Sequence, residues 1–473
     1  MRKFTNVLAV LLALVMCLGV VVACASDDEG AADGTTAANT TTAANTTKPN
    51  NTQTTTTAQD TTTAEDDGRK TEPEVEVPAD GMITSAAQLH AVLVKGDATK
   101  SYTVSADKLD MAQYAWSGMV GFSGTFDFGN CTIENAVDSL FVSVTGGTIK
   151  NLKIANATYT YSDDEAQADI NPATGAEGNI YYSPVVRYAD GITIQNVTIE
   201  STVTVSSDIY TDNSCHGGVI GSAVGSNIVV ENCHFKGTYT TDSTIVRIGG
   251  IVGSFVSSDV SSINVDSPEE SLARVYNCSN SGKIENVGSG CDSKTGGVVG
   301  YMANAVAVKC ANYGEINSTD NGQTSGVVAY VGNNDLLKDC LNAGPVVGNQ
   351  FPGGITGYSN AKGNMRTFIN CINIGSVTHS SNGNNDGGIL GVIGNANVME
   401  VLTNCFNLKT VCDTYSWSNE TGADINPADP ATFGKVAVTD CGNLESIDAI
   451  LTAMEALNPG VFVKNGDSIQ LAD

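Results

Sequence analysis

Apolar and polar positions recur with a fixed period between Gly217 and Val411. Each unit opens with Gly-Gly, or Ser-Gly in the fourth, followed by two mostly apolar residues and a small residue, and an apolar run then leads to Cys-x-Asn-x-Gly or a close variant of it. Six copies can be read, and their cysteines are Cys233, Cys278, Cys310, Cys340, Cys371 and Cys405. Successive cysteines are 45, 32, 30, 31 and 34 residues apart. A period of this size predicts a stack of similar units.

The residues before the repeats predict how the stack begins. Ser85 is a good N-cap for a helix over residues 86–93, which we expect to cover the first unit. Residues 122–133 then alternate as strand, turn and strand, and residues 140–154 repeat the theme around Gly146-Gly147. These residues resemble the opening segments of bacterial surface proteins with GLUG-type repeats, although Phe128, Cys131 and Val142 stand where that family tends to have glycine. The resemblance implies an all-β, right-handed parallel β-helix, a solenoid of pectin-lyase-like architecture, and no catalytic residues. We expect eight to ten rungs.

Asparagine and glycine recur at fixed distances after the cysteines. Because both residue types tolerate positive φ, we interpret these positions as turns, and stacked side-chain amides are expected to bond from rung to rung. The asparagines are Asn280, Asn312, Asn342, Asn373 and Asn407, and the glycines are Gly282, Gly314, Gly344 and Gly375.

The cysteines are expected to be mostly reduced. The chain has 13, and the six that share one repeat position point in parallel rather than towards each other, so we predict a buried ladder of free thiols. Zinc is not expected, because no Cys-x-x-Cys pair with a nearby histidine is present. Four cysteines off the ladder are the disulfide candidates: Cys215, Cys291, Cys412 and Cys441.

The N-terminus predicts export and lipid anchoring. Arg2 and Lys3 precede an apolar run, which is typical of a signal peptide over residues 1–23. The sequence Val-Val-Ala-Cys that ends at Cys24 resembles the lipobox of bacterial lipoproteins, which implies lipidation of Cys24 on the outer side of a cell membrane. Residues 24–80 are rich in Thr, Ala and Asn and predict a disordered tether. An uncleaved membrane anchor is the alternative.

Two further segments complete the predicted organisation. The β-helix repeat domain should span residues 81–440, and residues 441–473 should form a C-terminal cap. Ser446 is a plausible N-cap for a helix, and the alternation around Asn465-Gly466 predicts a β-hairpin.

Charge narrows the possible partners. The net charge of −28 repels nucleic acid and anionic lipid headgroups, so contact with a membrane is expected only through the lipid. Two insertions are acidic, residues 162–179 and residues 257–273. No cofactor is predicted, since no known Ca²⁺ signature is present and a solvated acidic loop explains the first insertion. If Ca²⁺ binds there, the candidate ligands are Asp163, Asp164, Glu165 and Asp169.

Function is the least determined feature of the sequence. Parallel β-helices also carry polysaccharide lyases and hydrolases, but the repeats place neither Arg or Lys near a cation site nor carboxylates on adjacent rungs. The four histidines are scattered, with His216 and His234 closest together. We therefore expect no enzyme and no catalytic residue. The sequence favours a non-catalytic adhesion or binding module for a surface glycan or protein; the alternatives are passive display in the envelope and a polysaccharide-active enzyme.

Overall fold

The computed structural model contains a compact unit, Arg69–Asp473, which is described below. The structure describes residues 68–162, 180–206, 214–243, 246–288, 291–359, 366–380, 386–394, 400–418, 423–425, 427 and 436–472.

The first part of the chain contains long strands that bend through several sides of the stack. In chain order these strands are β1 (Met82–Ile83), β2 (Tyr102–Val104), β3 (Lys108–Asp110), β4 (Thr125–Glu134), β5 (Phe141–Ser162), β6 (Tyr181–Tyr182), β7 (Val186–Ser206), β8 (Ser214–Gly217), β9 (Ile220–Phe235), β10 (Thr238–Thr241), β11 (Val246–Gly249) and β12 (Val252–Ser257).

The repeats that follow are built from shorter strands. They are β13 (Ala273–Tyr276), β14 (Ser279–Asn280), β15 (Lys283–Asn286), β16 (Cys291–Gly296), β17 (Val299–Ala303), β18 (Val306–Val308), β19 (Ala311–Asn312), β20 (Glu315–Ser318), β21 (Asn321–Ser325), β22 (Val328–Val331), β23 (Leu336–Lys338), β24 (Leu341–Asn342), β25 (Val346–Gly348), β26 (Gln350–Gly353), β27 (Thr356–Ser359), β28 (Arg366–Ile369), β29 (Ile372–Asn373), β30 (Val377–His379), β31 (Leu390–Ile393), β32 (Glu400–Thr403), β33 (Phe406–Leu408), β34 (Ser416–Ser418), β35 (Ala423–Asp424), β36 (Val436–Thr439), β37 (Gly442–Leu444), β38 (Phe462–Asn465) and β39 (Ser468–Leu471).

Parallel pairing between coils confirms the predicted parallel β-helix. The main sheet has 31 strands, and a second sheet of six strands, β6, β8, β11, β16, β21 and β26, runs up one side. Only two described pairs are antiparallel, β34 with β35 and β38 with β39. Each coil thus places its residues directly beside the equivalent residues of the next coil, as Ser279, Ala311 and Leu341 show.

The predicted cysteine ladder is confirmed. Its members lie in one buried column that continues upwards through Val197 and Leu152 to Cys131. No disulfide joins the cysteines whose side chains are described. The expectation of disulfides at Cys215, Cys412 and Cys441 is therefore wrong, and the Cys291 side chain lies outside the described part. Cys441 in fact extends the ladder, because Cys441-Gly442-Asn443 is a further copy of the repeat motif.

The predicted amide stack is also present, but its backbone differs from the prediction. The Asn280 side chain donates to Asn312 at 2.7 Å, and the same bond recurs down to Asn443. None of these asparagines has positive φ; the left-handed position is instead the residue before each cysteine, such as Asn277 with φ 51°. Gly282 is needed for close approach, since a Cβ there would lie 2.1 Å from the Gly237 carbonyl oxygen.

Two α-helices lie in the described part of the chain, one before the first long strands and one near the C-terminus. Helix α1 (Ala86–Lys95) begins at the predicted cap, where the Ser85 side chain accepts a hydrogen bond from the Gln88 amide. Its Leu89 and Val92 join the same buried cluster as Tyr102 of the first coil. Helix α2 (Ile447–Leu457) has the predicted N-cap Ser446, and the hairpin turns at Asn465-Gly466 as expected. No helix among the described residues is long and apolar enough to cross a membrane.

Candidate functional site

A column of side chains faces outward beside the buried cysteine ladder. It consists of the residues that follow the cysteines, and it changes character along the stack. His234 and Ser279 are polar and partly exposed, whereas Ala311, Leu341, Ile372 and Phe406 are apolar and buried. The apolar end needs a cover, because an apolar stripe of this kind is stabilised when it is removed from water.

The C-terminal tail provides this cover. Ile450 and Met454 of α2, together with Phe462 and Ile469 of the hairpin, pack in one buried cluster with the apolar column. Two hydrogen bonds also tie the tail to the stack. The Asn458 side chain donates to Asp339 Oδ1 at 2.7 Å, and the Leu471 amide donates to Tyr313 Oη at 3.2 Å. The helix and hairpin therefore lie along the side of the stack, back to the coil of Tyr313.

A cleft remains where the hairpin ends and the polar part of the column begins. Its volume is about 620 Å³, and its wall is part polar and part apolar. The residues that line it are His234, Asn277, Cys278, Ser279, Lys309, Ala311, Tyr313, Asn465, Ser468, Ile469, Gln470, Leu471 and Ala472.

Two of these residues form a pair with the geometry of a nucleophile and its base. Nδ1 of His234 lies 2.8 Å from Oγ of Ser279. The two residues are direct neighbours in the pairing of β9 with β14, so the sheet itself holds the side chains together. A serine within hydrogen-bond reach of an imidazole is the arrangement that activates a hydroxyl for attack on a carbonyl group.

The protonation state of His234 suits this role. Burial, followed by the charge of the nearby Lys236, lowers the pKa of His234 below its ordinary value. The imidazole is therefore neutral near pH 7, and Nδ1 can accept the hydrogen bond from the Ser279 hydroxyl. The neighbouring Asn277 side chain donates to Asn232 at 2.8 Å, which fixes the coil on which Ser279 lies.

His216, the other histidine of the first repeat, is not part of the cleft. It is fully buried, and its ring lies between those of Tyr182 and Tyr239, with centroids 5.4 and 6.0 Å away. Burial lowers the pKa of His216 to about 3, so it stays neutral. The structure thus separates the two histidines that lie closest together in the sequence.

Several predicted site residues lie outside the described part of the chain. They are the lipidation candidate Cys24 and the Ca²⁺ candidates Asp163, Asp164, Glu165 and Asp169. Within the part that is described, no group of three or more His, Cys, Asp or Glu side chains could hold a metal ion. In the second acidic insertion Asp259 caps a short 3-10 turn, Val260–Ser262, and Glu269 lies 3.9 Å from Lys338.

Sequence reasoning missed Ser279, although the repeat alignment contained the necessary clue. His234 follows Cys233, and Ser279 follows Cys278. Residues that occupy the same repeat position are neighbours on successive coils of a solenoid. The 45-residue step between these cysteines concealed the relation, because it includes the insertion of residues 257–273.

Comparisons with known proteins find similarity only among solved structures. No protein-family model matches the sequence, and no curated protein does. One similar structure, from Bacteroides ovatus, is provisionally described as an immunoglobulin A1 protease. It has a TM-score of 0.38 and 15% identity over 82% of this chain and 91% of that one. A second is described as an IgA1 protease, with a TM-score of 0.39 and 16% identity over 60% of this chain and 21% of that one.

These findings correct the predicted function. Both similar structures are described as proteases, so the assignment as a non-catalytic adhesion or binding module is not retained, nor is the prediction that the chain is not an enzyme. Similarity at this level carries no argument about the chemistry of this chain. That chemistry has to be derived from its own residues.

Proposed function

We propose that the chain is a hydrolase in which Ser279 is the nucleophile and His234 is the general base. The observation that carries this proposal is the 2.8 Å contact between His234 Nδ1 and Ser279 Oγ at the edge of the cleft. The substrate class is an ester or amide, because an activated hydroxyl attacks carbonyl carbon.

The chain's own residues account for each proton in such a reaction. Ser279 Oγ attacks the carbonyl carbon while its proton moves to Nδ1 of His234. The tetrahedral intermediate then collapses, and the imidazolium returns that proton to the departing alcohol or amine. Water attacks the acyl group on Ser279 and loses a proton to His234; the imidazolium then gives that proton to Ser279 Oγ as the bond to the acyl group breaks, and the acid is released with both residues restored.

The backbone supports this pair by fixing its geometry in advance. Parallel pairing joins Ser279 and Asn280 to His234 and Phe235, and Asn280 is fully buried with its amide bonded to Asn312. Of these four residues, Ser279 and His234 line the cleft, whereas Asn280 and Phe235 do not. A site on rigid strands keeps its reacting groups in place at little entropic cost.

A covalent probe gives the most direct test. A fluorophosphonate should label Ser279 of the purified full chain, and peptide mass spectrometry should locate the adduct there. The substitution Ser279→Ala should abolish both labelling and the hydrolysis of p-nitrophenyl esters. Ser281→Ala is the matched control, since Ser281 is exposed two residues further along and does not line the cleft.

The base can be tested separately. His234→Gln should lower the hydrolysis rate by about 100-fold, because general base catalysis commonly contributes that much. In the unsubstituted protein the rate should fall as the pH drops through the lowered pKa of His234, below the ordinary histidine value of about 6.5. Equal labelling of Ser279→Ala and the unsubstituted protein would refute the proposal.

We further propose that the chain is a GLUG-type bacterial surface lipoprotein, exported by residues 1–23 and anchored by lipid on Cys24. The support is the sequence alone: Arg2 and Lys3, the apolar run behind them, and Val-Val-Ala-Cys ending at Cys24. Labelled palmitate should enter the protein in bacterial cells, and Cys24→Ala should abolish this incorporation. Incorporation into the variant would contradict the assignment.

A further inference from the structure

One corner of the stack shows a single departure from an otherwise uniform choice of residue. The residue before each member of the cysteine column, which includes Leu152 and Val197, adopts a left-handed backbone with φ between 51° and 59° from Asn151 onwards. All but one of the residues at this corner are asparagine or aspartate, the side chains that tolerate this conformation best. The corner column consists of Asn151, Asn196, Asn232, Asn277, Lys309, Asp339, Asn370, Asn404 and Asp440.

Lys309 interrupts a chain of hydrogen bonds along this corner column. Above it, each asparagine donates to the one before, up to Asn277, which bonds to Asn232 at 2.8 Å. Below it, Asn370 donates to Asp339 at 2.8 Å, and Asn404 donates to Asn370 at 2.9 Å. Lysine adopts positive φ at a cost and cannot accept a bond from an amide, so the stack gains nothing from it here.

The cleft is where Lys309 has an evident use. Lys309 lies one coil below Asn277, whose backbone amide donates to the Val308 carbonyl at 3.0 Å. Ser279 lies two residues after Asn277 on the upper of these two coils, and all three side chains line the cleft. Lys309 is half-buried in the wall of the cleft. None of the ion pairs found among the described residues includes Lys309, although the chain carries 51 acidic residues.

We propose that Lys309 binds a carboxylate of the substrate, so that the cleft prefers acyl compounds with a negative charge close to the scissile carbonyl. This inference rests on the proposed hydrolase function. It is based on three observations. Lys309 has a left-handed backbone that is unfavourable for lysine, and it interrupts the hydrogen bonds of the corner column. Its ammonium group also belongs to the same cleft wall as Ser279. An ammonium that has no carboxylate partner among the described residues of an acidic protein is a natural position for an anionic ligand.

Two esters with acyl chains of equal length test the preference. Mono-p-nitrophenyl adipate carries a carboxylate, whereas p-nitrophenyl hexanoate is neutral. The full chain should show a kcat/KM ratio of about fivefold in favour of adipate, as expected for a partly exposed ion pair. Lys309→Asn should reduce this ratio to about one, while Lys283→Met, which removes a partly exposed lysine outside the cleft, should leave it unchanged.

A binding measurement separates this inference from the function on which it rests. Ser279→Ala cannot hydrolyse the ester, so free adipate can be titrated against it by calorimetry, with and without Lys309→Asn. If the esters are hydrolysed by Ser279 but the ratio is unaffected by Lys309→Asn, the carboxylate site is overturned and the hydrolase stands. If no ester is hydrolysed yet adipate binds through Lys309, the hydrolase fails and the anion site stands. Neither hydrolysis nor binding would overturn both.

Discussion

Two polar columns run through the stack, and they differ in residue type and in burial. The inner amide column, Asn280 to Asn443, has asparagine on every coil, and its members from Asn280 to Asn407 are completely buried. The corner column mixes asparagine and aspartate with one lysine, and most of its members are partly exposed. Both columns repeat with the same period, so periodicity alone does not explain the difference.

Access to water explains it. A buried amide in the inner column must satisfy its donors and acceptor within the protein, so any other side chain leaves polar groups without partners. At the corner, water can replace a lost side-chain partner, so substitution is cheaper. The corner can therefore carry a residue such as Lys309 that serves a ligand, whereas the inner column cannot.

The largest effect is expected from breaking the inner column at its middle. Asn342 accepts from Asn312 and donates to Asn373 and to the Gly344 carbonyl. Asn342→Ala should lower the free energy of unfolding by about 4 kcal/mol, since several buried polar groups lose partners at about 1–3 kcal/mol each. Urea unfolding followed by circular dichroism measures this. Asn317→Ala, at a partly exposed site, is the control and should change little.

A break in the corner column should cost less. Asn232 is partly exposed, has φ 52°, donates to Asn196 and accepts from Asn277. Asn232→Ala should lower the free energy of unfolding by about 2 kcal/mol, from left-handed strain on alanine and the lost hydrogen bonds. Asn232→Gly relieves the strain and should recover part of the loss. Equal unfolding midpoints for the alanine variants at residues 342 and 232 would contradict the distinction between the columns.

The charge on Asp339 should make the corner column sensitive to pH. Burial raises the pKa of Asp339 above its ordinary value. The folded chain then holds a proton that the unfolded chain has lost, so this contribution to stability is complete below pH ~3.9 and is lost as the pH rises through the raised pKa. Asp339→Asn should remove this loss. The thermal midpoint of the variant should therefore exceed that of the parent by more at pH 7 than at pH 4.

Comparing the Asp339→Asn variant with its parent isolates the contribution of Asp339 to the pH dependence of stability. Burial also raises the pKa of Asp320, to about 6, and this residue contributes a similar slope in both proteins. The informative quantity is therefore the difference in midpoint at each pH. A constant difference from pH 4 to pH 7 would show that Asp339 does not titrate in this range.

The smallest effect is expected from repairing the corner column at Lys309, and this effect should be stabilising. Lys309→Asn restores a residue suited to φ 51°, and its side-chain amide can donate to Asn277 as the other asparagines of the column donate to the residue before them. The free energy of unfolding should rise by about 0.5 kcal/mol, the value of a partly exposed hydrogen bond. Paired chemical denaturation curves would measure it, with Lys283→Met as the control for lost charge. A destabilised variant would mean that Lys309 has a structural role.

Much of the fold could be predicted from particular residues. The step of about 30 residues between cysteines, the paired apolar residues of the glycine motif and the asparagine two positions later each specify a neighbour on the next coil. Ser85, Ser446 and Asn465-Gly466 predict the two helices and the hairpin because caps and turns are local. The candidate site was not predicted, because its pair joins residues on either side of a 17-residue insertion, which hides their shared repeat position.

The sequence by itself determined which residues stack above one another: the thiol column, the inner amide column and the parallel coils. Repetition encodes these contacts, because each coil presents the same side chain to its neighbour. Only the tertiary structure decided which asparagines take the left-handed backbone, where the C-terminal tail lies, and that His234 meets Ser279 beside Lys309. These contacts depend on how each coil bends and on what packs against its side, and neither property repeats along the chain.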